Sequence, residues 1–215
     1  MSTTIYLIRH GESEANEKAI FLGHGDLHLT QRGKAQADMT AAYLINQVGQ
    51  PDAIYSSDLS RAYETAKRTA EHFHMPITKD PDLREIDAGD WDFVPFTDLE
   101  KDFAESYGLW LQNIGRARCD GGESVEELCS RFIGAVTRIA KQHPDAVVFV
   151  FSHGTPLRIL AAHCLQKSPD EIKDLPWASN ASVTKIIFEE DRFQMVEYSH
   201  DEFMGNLVTA LPSNV

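Results

Sequence analysis

The sequence predicts an α/β protein, a three-layer α/β/α sandwich whose central sheet is mostly parallel and carries an antiparallel strand at one edge. Apolar runs that suit buried strands alternate with amphipathic stretches, as expected where helices connect parallel strands. The run at residues 146–151 is continuously apolar, which indicates a central strand covered on both faces. Two runs near the C-terminus flank a short acidic connection and predict a hairpin, which requires an antiparallel edge.

The first part of the chain supplies three predicted strands and two helices. Thr30 is the expected N-cap of the first long helix, because its hydroxyl can accept a backbone N–H of the first turn. Arg61 falls in the first turn of the second helix, where a basic side chain opposes the helix dipole and a bound anion would remove the conflict. The predicted strands are residues 5–8, 53–56 and 75–78, and the predicted helices run from about 31 to 47 and from about 61 to 73.

The last part of the chain supplies two helices and the remaining strands. Ser124 and Glu127 have the spacing of a capping box and start a long helix that ends at His143. Pro156 opens the next helix at a position like N1, where its missing N–H costs nothing. The predicted strands here are residues 146–151, 182–188 and 193–198. We expect the tail from Met204 to be loosely ordered.

Residues 80–122 differ in pattern from the rest and predict a helical and loop insertion over the active site, within a single domain spanning residues 1–215. Their apolar residues are rich in aromatics and lack a clear period. A lid that recognises substrate and a simple cover for one sheet face are both compatible with this pattern. Between residues 80 and 105, ten acidic residues against the basic Arg84 and Lys101 predict a cavity mouth that repels doubly phosphorylated ligands. The acidic residues are Asp80, Asp82, Glu85, Asp87, Asp90, Asp92, Asp98, Glu100, Asp102 and Glu105.

Composition excludes several classes of function. The formal net charge of −13 argues against binding to nucleic acid or to an anionic membrane, since basic patches hold such partners. No apolar run approaches the roughly 20 residues of a membrane span, and the N-terminus lacks a signal-peptide pattern, so we expect a cytoplasmic protein. Three cysteines without a CxxC pair predict free thiols and no zinc site. Nothing in the sequence indicates an oligomeric state.

Two predicted strands end in the same way, in Arg9-His10-Gly11 and in Ser152-His153-Gly154. The carboxyl ends of parallel strands lie at one edge of a sheet, so the two histidines can meet there. A neutral imidazole can attack an electrophile, and a guanidinium fork suits an anion with several oxygens, phosphate above all. A single histidine is more commonly a packed structural residue, but two at equivalent strand ends favour a histidine nucleophile aimed at phosphorus.

These residues carry a resemblance to a known family. Residues 7–13, Leu-Ile-Arg-His-Gly-Glu-Ser, together with Asn16, resemble the signature of the histidine phosphatase superfamily, in the branch of the cofactor-dependent phosphoglycerate mutases and small broad-specificity phosphatases. Five further blocks follow in the same order, so that the similarity runs from about Thr4 to Asn180. They centre on residues 29–37, 56–66, 83–91, 121–124 and 152–154. After Trp91 the family commonly has Glu-Gly, where this chain has Asp92-Phe93.

The resemblance implies a role for each matched residue. His10 is then the nucleophile that becomes phosphohistidine, and Arg9, Arg61 and His153 line the phosphate pocket. Glu85 corresponds to the proton donor to the leaving alcohol. Guanidinium groups and backbone N–H groups can stabilise the charge of a transferring phosphoryl group, so the reaction needs no metal and no cofactor is expected.

The expected activity is that of a metal-independent phosphomonoesterase of the histidine acid phosphatase type. Its substrate is expected to be a small phosphorylated metabolite with a neutral, apolar or cationic leaving group, contacted by Asn16, Gly23 and Gly154 and by the aromatic residues of the insertion. A cofactor-dependent phosphoglycerate mutase is the alternative enzyme. A non-catalytic module that binds a phosphorylated ligand is the more distant alternative, since inactive relatives are expected to lose a pocket residue and this chain keeps them all.

Overall fold

A computed structural model describes residues 2–209 and contains one sheet of six strands in the order β3-β2-β4-β1-β5-β6. The four strands on one side pair in parallel, and the last two pair antiparallel, which confirms the predicted sheet with its antiparallel edge. The strands are β1 (Ser2–Arg9), β2 (Ala53–Ser56), β3 (Ile77–Lys79), β4 (Val147–Ser152), β5 (Val183–Glu189) and β6 (Arg192–His200).

Helices pack on both faces of the sheet, as a three-layer sandwich requires. In the central strand β4, Val148 and Val150 face one apolar core while Phe149 and Phe151 face the other, which explains why its sequence is apolar without alternation. The helices are α1 (Glu14–Glu17), α2 (Gln31–Gln47), α3 (Ser60–Phe73), α4 (Phe96–Asp102), α5 (Ala104–Asn113), α6 (Val125–Gln142) and α7 (Gly154–Cys164). Within residues 2–209 we find no helix of the length and hydropathy needed to cross a bilayer.

The predicted caps of the two long helices are present. The Thr30 hydroxyl accepts the backbone N–H of Gly33 at the start of α2, and Ser124 and Glu127 exchange hydrogen bonds in a capping box at the start of α6. Helix α7 begins at Gly154, two residues earlier than predicted, because His153 is extended and caps it. Pro156 is tolerated as the third helical residue, since an N–H in the first turn has no partner within the helix.

The tail from Met204 is more ordered than predicted within the described residues. Residues Glu202–Leu207 form a 3₁₀ helix, and Met204 is buried. The buried Gln36 side chain donates from Nε2 to the Leu207 carbonyl oxygen and to the Thr209 hydroxyl, at 2.7 Å each. These hydrogen bonds join residues 171 and 173 positions apart in sequence, which local pattern does not reveal. The tail beyond residue 209 lies outside the described residues.

Residues 80–122 form α4, α5 and several 3₁₀ turns against the face of the sheet that carries α6 and α7. Trp91 and Tyr107 are fully buried in the core of that face. Phe96 and Trp110 belong to the same core and also reach the wall of a cavity at the carboxyl edge of the strands. The segment therefore covers one sheet face and also supplies part of a cavity wall. All three cysteines are free, as predicted.

Candidate active site

The ends of β1 and β4 bring the two predicted histidine segments together. Arg9 lies opposite Ser152 in the parallel register, and the His10 backbone N–H donates to the Ser152 carbonyl oxygen at 3.0 Å. The chain then leaves the sheet at Gly11 and at Gly154. The imidazole rings of His10 and His153 lie with their centroids 5.2 Å apart at this edge. The shared register of two neighbouring strands thus fixes the separation of the rings.

His10 lies in the wall of the cavity with its imidazole held in one orientation. Its Nδ1 is 2.7 Å from the Gly11 carbonyl oxygen, and a carbonyl only accepts, so Nδ1 carries the proton and Nε2 carries the lone pair. Burial and the charges of Arg61 and Arg9 hold the pKa of His10 well below its usual value. The imidazole is therefore neutral, which is the form that can act as a nucleophile.

Two buried guanidinium groups flank His10. Arg9 donates from Nη1 to the Ala178 carbonyl oxygen at 2.5 Å, while its Nε is buried with no partner among the described residues. Arg61 donates from Nη1 to Gly25 and from Nη2 to Gly23, in both cases to the carbonyl oxygen. Burial lowers the pKa of both arginines, that of Arg61 to about 10, so both remain cations at neutral pH. The pair concentrates positive charge at one end of the cavity.

His153 lies one layer deeper than His10. It is fully buried, is not part of the cavity wall, and its Nε2 lies 2.8 Å from the Ser57 hydroxyl. Its Nδ1 is buried without a partner among the described residues. Burial, with the charge of Arg61, holds the pKa of His153 well below its usual value. His153 is therefore a second neutral imidazole that packs against the first.

Glu85 reaches the cavity from the segment after β3. Its Oε1 accepts the backbone N–H of Ile86 at 2.9 Å, and its Oε2 accepts that of Thr155 at 3.2 Å. Thr155 lies in the first turn of α7, so the helix holds the carboxyl group near the edge where the histidine segments meet. Burial lowers the pKa of Arg9 and of Arg61, and the charge of Glu85 raises the pKa of each against this effect. The carboxyl group therefore lies beside both cations.

The cavity at this edge of the sheet contains about 570 Å³ of empty space, including its open mouth. One end is polar and the other is apolar and aromatic. Its walls are formed by Arg9, His10, Ser13, Ala15, Asn16, Ile20, Phe21, Leu22, Arg61, Glu85, Phe96, Trp110, Gly154, Thr155 and Trp177.

Six of the eight predicted site residues lie in this wall, and two do not. His153 lies behind His10, and Gly23 contributes to the site indirectly, through the carbonyl oxygen that accepts from Arg61. The sequence did not single out Thr155, Phe21 or Trp177 as site residues. Phe21 and Trp177 come from loops without periodic pattern, and no local signal marks their approach to the cavity.

The acidic segment does not form the mouth of this cavity, contrary to the prediction. Of its ten acidic residues only Glu85 lies in the wall. Asp80 and Asp82 both pair with Arg138, and Asp92 accepts backbone N–H groups. The prediction was wrong because a count of charges along the sequence does not show which carboxylates reach the cavity.

Comparison with known proteins decides the family. The sequence model of the histidine phosphatase superfamily (branch 1) matches residues 5–201 of this chain. The chain belongs to the histidine phosphatase superfamily. Phosphoserine phosphatase 1 of Hydrogenobacter thermophilus is 33% identical over 189 residues, which cover 87% of this chain and 88% of that protein. The adenosylcobalamin/alpha-ribazole phosphatase of Escherichia coli K12 is 30% identical over 161 residues, covering 75% of this chain and 78% of that protein.

Solved structures of the superfamily have the same fold. Bacillus stearothermophilus YhfR superposes with a TM-score of 0.89 at 28% identity, covering 94% of this chain and 99% of that one. A mycobacterial glucosyl-3-phosphoglycerate phosphatase superposes with a TM-score of 0.83 at 26% identity, covering 94% and 100%. The relatives named as enzymes here are phosphatases of small phosphorylated compounds. The chain is accordingly a histidine phosphatase related to the small phosphatases of the superfamily.

The position where this histidine phosphatase departs from the common pattern lies close to the site. Phe93 has φ of 65°, in the left-handed region that glycine adopts without strain, and its ring is half exposed. The ring packs on the loop at Leu22 and Gly25, where a Cβ atom on Gly25 would stand 2.6 Å from the Phe93 ring. Phenylalanine thus replaces a commonly used glycine at the cost of backbone strain and contacts the loop that holds Arg61.

Proposed function

We propose that this chain is a phosphomonoesterase that works without a metal ion, transferring the phosphoryl group of a small monoester to Nε2 of His10 and then to water. The observation that carries the proposal is the neutral His10 imidazole, fixed by its Nδ1–H bond to Gly11 and flanked by two buried guanidinium groups. Phosphoryl transfer requires in-line positioning and stabilisation of charge on the phosphoryl oxygens more than covalent help from the protein. Arg9 and Arg61 supply that positive charge.

The proposed reaction has two steps. The Nε2 lone pair of His10 forms a bond to phosphorus while the bond from phosphorus to the leaving oxygen breaks. Glu85 in its protonated form donates its proton to that oxygen, so the alcohol leaves neutral. Water then attacks the phosphohistidine, Glu85 accepts a proton from the water, and inorganic phosphate and free His10 are formed. Among residues 2–209, no three His, Cys, Asp or Glu side chains gather as a metal site would require.

A phosphatase is favoured over a phosphoglycerate mutase by the charges in the cavity. Among the described residues that line it, Arg9 and Arg61 are the cations, and both lie at the end where the phosphoryl group would bind. A bisphosphorylated ligand brings a second dianion, for which this wall offers no further cation. The relatives reported above under the name of an enzyme are phosphatases as well.

The experiment on the nucleophile compares wild type with His10→Asn and with His163→Asn, an exposed histidine outside the cavity. With p-nitrophenyl phosphate and excess EDTA, wild type and His163→Asn should turn over equally, and His10→Asn should be slower by about 1,000-fold or more. A covalently bound phosphate that is labile in acid and stable in base should be trapped on wild type and not on His10→Asn. Substantial turnover by folded His10→Asn, or loss of activity in EDTA that an added metal restores, would contradict the proposal.

The role of Glu85 is tested by the leaving group. Glu85→Gln should slow an alkyl phosphate, whose alkoxide needs a proton, by about 100-fold, and p-nitrophenyl phosphate by less than about tenfold. Glu105→Gln, an exposed acidic residue of the same segment, is the matched control and should behave as wild type. Equal slowing of both substrates by Glu85→Gln would show that the carboxyl group does not act as the general acid.

The aromatic end of the cavity supports a substrate whose alcohol is uncharged and apolar. Phe21, Phe96, Trp110 and Trp177 line this end, and among the described residues that line the cavity Arg9 and Arg61 are the only cations that could pair with a substrate carboxylate. The relative that carries the name phosphoserine phosphatase acts on an alcohol with an ammonium and a carboxylate group. Burial of such charges without partners is costly. We therefore expect kcat/KM for phosphoserine to lie about tenfold or more below that for naphthyl phosphate.

Variants at the aromatic end test this assignment. Trp177→Leu should lower kcat/KM for naphthyl phosphate by about tenfold, the equivalent of roughly 1.4 kcal/mol of lost ring contact, and should leave glycerol phosphate within about twofold. Leu111→Ala, at an exposed residue that does not line the cavity, is the control. If Trp177→Leu affects both esters alike, the aromatic end does not select the alcohol.

A further inference from the structure

Asp92 holds the loop that follows Phe21 by two backbone hydrogen bonds. Its Oδ1 accepts the N–H of Gly23 at 2.7 Å, and its Oδ2 accepts the N–H of Gly25 at 2.9 Å. Hydrogen bonds to an ionised carboxylate are shorter and roughly twice as strong as those between neutral groups. The carboxylate therefore fixes the spacing and orientation of both glycines.

The same two glycines hold the guanidinium of Arg61 on their other side. Their carbonyl oxygens accept from Arg61 Nη2 at 2.8 Å and from Nη1 at 2.9 Å. The loop packs closely on its neighbours, since a Cβ atom on Gly23 would overlap the Ile86 carbonyl oxygen and one on Gly25 would overlap the Phe93 ring. Gly23 and Gly25 thus lie between Asp92, which accepts their N–H groups, and Arg61, which donates to their carbonyl oxygens.

Neighbouring backbone hydrogen bonds hold Asp92 itself in position. The Phe93 N–H donates to the Phe21 carbonyl oxygen at 3.0 Å, and the Phe21 N–H donates to the Val94 carbonyl oxygen at 2.9 Å. The Asp92 N–H donates to the Gly89 carbonyl oxygen at 3.2 Å. These hydrogen bonds join the segment around Asp92 to the loop that follows Phe21. The left-handed conformation of Phe93 makes the turn that allows both the Asp92 carboxylate and the backbone of residues 93 and 94 to contact that loop.

The charges around Arg61 come from four elements of the fold. Glu85, Asp26 and Asp92 favour its charged form, while Arg9 opposes it, in an interior where burial already lowers the pKa of Arg61. The imidazoles of His10 and His153 are neutral. Asp26 also accepts from the backbone N–H and the hydroxyl of Ser60 at the start of α3, which ties the loop to the residue before Arg61.

We infer that Asp92 is a positioning residue for phosphate binding: through the two glycines it fixes the guanidinium of Arg61 in the orientation that receives the phosphoryl group. The inference rests on the proposed function of the cavity, in that Arg61 is taken as a phosphate ligand. Asp92 touches no substrate, and its effect passes through the loop. The common presence of glutamate at this place in the superfamily does not by itself assign such a role, which follows here from the contacts of the carboxylate.

The experiment measures binding of inorganic phosphate by calorimetry, which does not depend on turnover. Asp92→Asn keeps the shape of the side chain but loses its charge and one acceptor, so the dissociation constant of phosphate should rise about tenfold. Asp92→Glu, which restores the charge, should return it to within about threefold of wild type. Asp90→Asn, at an exposed carboxylate two residues earlier, should leave it unchanged.

A double-mutant cycle with Arg61→Lys separates positioning from a general loss of stability. A lysine ammonium cannot donate to both glycine carbonyl oxygens in the fixed geometry of a guanidinium group. Asp92→Asn should therefore weaken phosphate binding much less in the Arg61→Lys background than in wild type. Equal effects of Asp92→Asn in both backgrounds, or a drop in melting temperature with unchanged phosphate affinity, would overturn the inference. Turnover by His10→Asn would instead refute the proposed function.

Discussion

His10 and His153 are buried as neutral imidazoles between two cations, and this makes the stability of the fold depend on pH. Burial and the charges of Arg61 and Arg9 hold the pKa of both histidines well below 6.5. In the unfolded chain a histidine takes up a proton near pH 6.5. As the pH falls through that value, the unfolded state binds more protons than the folded state, so the free energy of unfolding decreases with falling pH.

The size of the effect follows from proton linkage. Each histidine that is protonated only in the unfolded state changes the free energy of unfolding by up to about 1.4 kcal/mol per pH unit, and the two together by up to about 2.7 kcal/mol. His28 works in the opposite sense, since its hydrogen bond to Glu64 raises its pKa. His28 offsets the slope equally in wild type and in His10→Asn, so the difference between the two slopes reports on His10.

Urea unfolding between about pH 5.5 and 6.5 measures this slope. His10→Asn should reduce this slope by up to half, because only one of the two histidines is then left to take up a proton on unfolding. His72→Asn, at an exposed position of α3, should leave the slope as in wild type. In wild type the acidic limb of kcat/KM should also lie below 6.5. A wild-type slope in His10→Asn, or an acidic limb at 6.5, would refute the assignment of His10 as a buried neutral nucleophile.

Three further results are expected. Gly154→Ala should raise KM for p-nitrophenyl phosphate several-fold with little change in melting temperature, because the new Cβ would stand 3.3 Å from Cζ and Nε of Arg9. An unchanged KM would show that the guanidinium is free to move. Gln36→Leu should lower the free energy of unfolding in urea by about 2 kcal/mol or more, since it removes the acceptor of the buried Glu12 N–H, whereas Gln31→Leu on the exposed face should not. Moderate salt should raise kcat/KM for anionic substrates by screening the net charge of −13, and a steep fall would contradict that expectation.

The phosphate end of the cavity is the part that the sequence predicts well. Arg9 ends β1, and His10 and His153 directly follow β1 and β4. Hydrophobic pattern locates such buried strands without knowledge of the rest of the fold. Because β1 and β4 are neighbours in parallel register, two local patterns determine one site. Arg61 is equally accessible to sequence reasoning, since its place in the first turn of α3 is set by the pattern of that helix.

The alcohol end of the cavity depends on contacts that no local pattern encodes. Phe21 and Trp177 are about 150 positions apart in sequence and line the same cavity as Trp110 of α5. The two hydrogen bonds of Asp92 cross 67 and 69 residues. Charge counting likewise could not show that Asp80 and Asp82 pair with Arg138 of the distant helix α6. Sequence reasoning therefore identified the proposed chemistry more closely than the walls that contact the alcohol.

The net charge of −13 and an anionic substrate are compatible because the two effects act over different distances. Charges on the surface are screened within roughly 10 Å at ordinary salt, so they slow the approach of an anion more than they weaken its bound state. A charge at about 4 Å in an environment with an effective dielectric constant near 20 contributes about 4 kcal/mol. The two buried guanidinium groups, which backbone carbonyl oxygens hold in place, act on the phosphoryl group at this short distance. The rigidity of their supports, rather than the net charge of the protein, should therefore govern how tightly the phosphoryl group is bound.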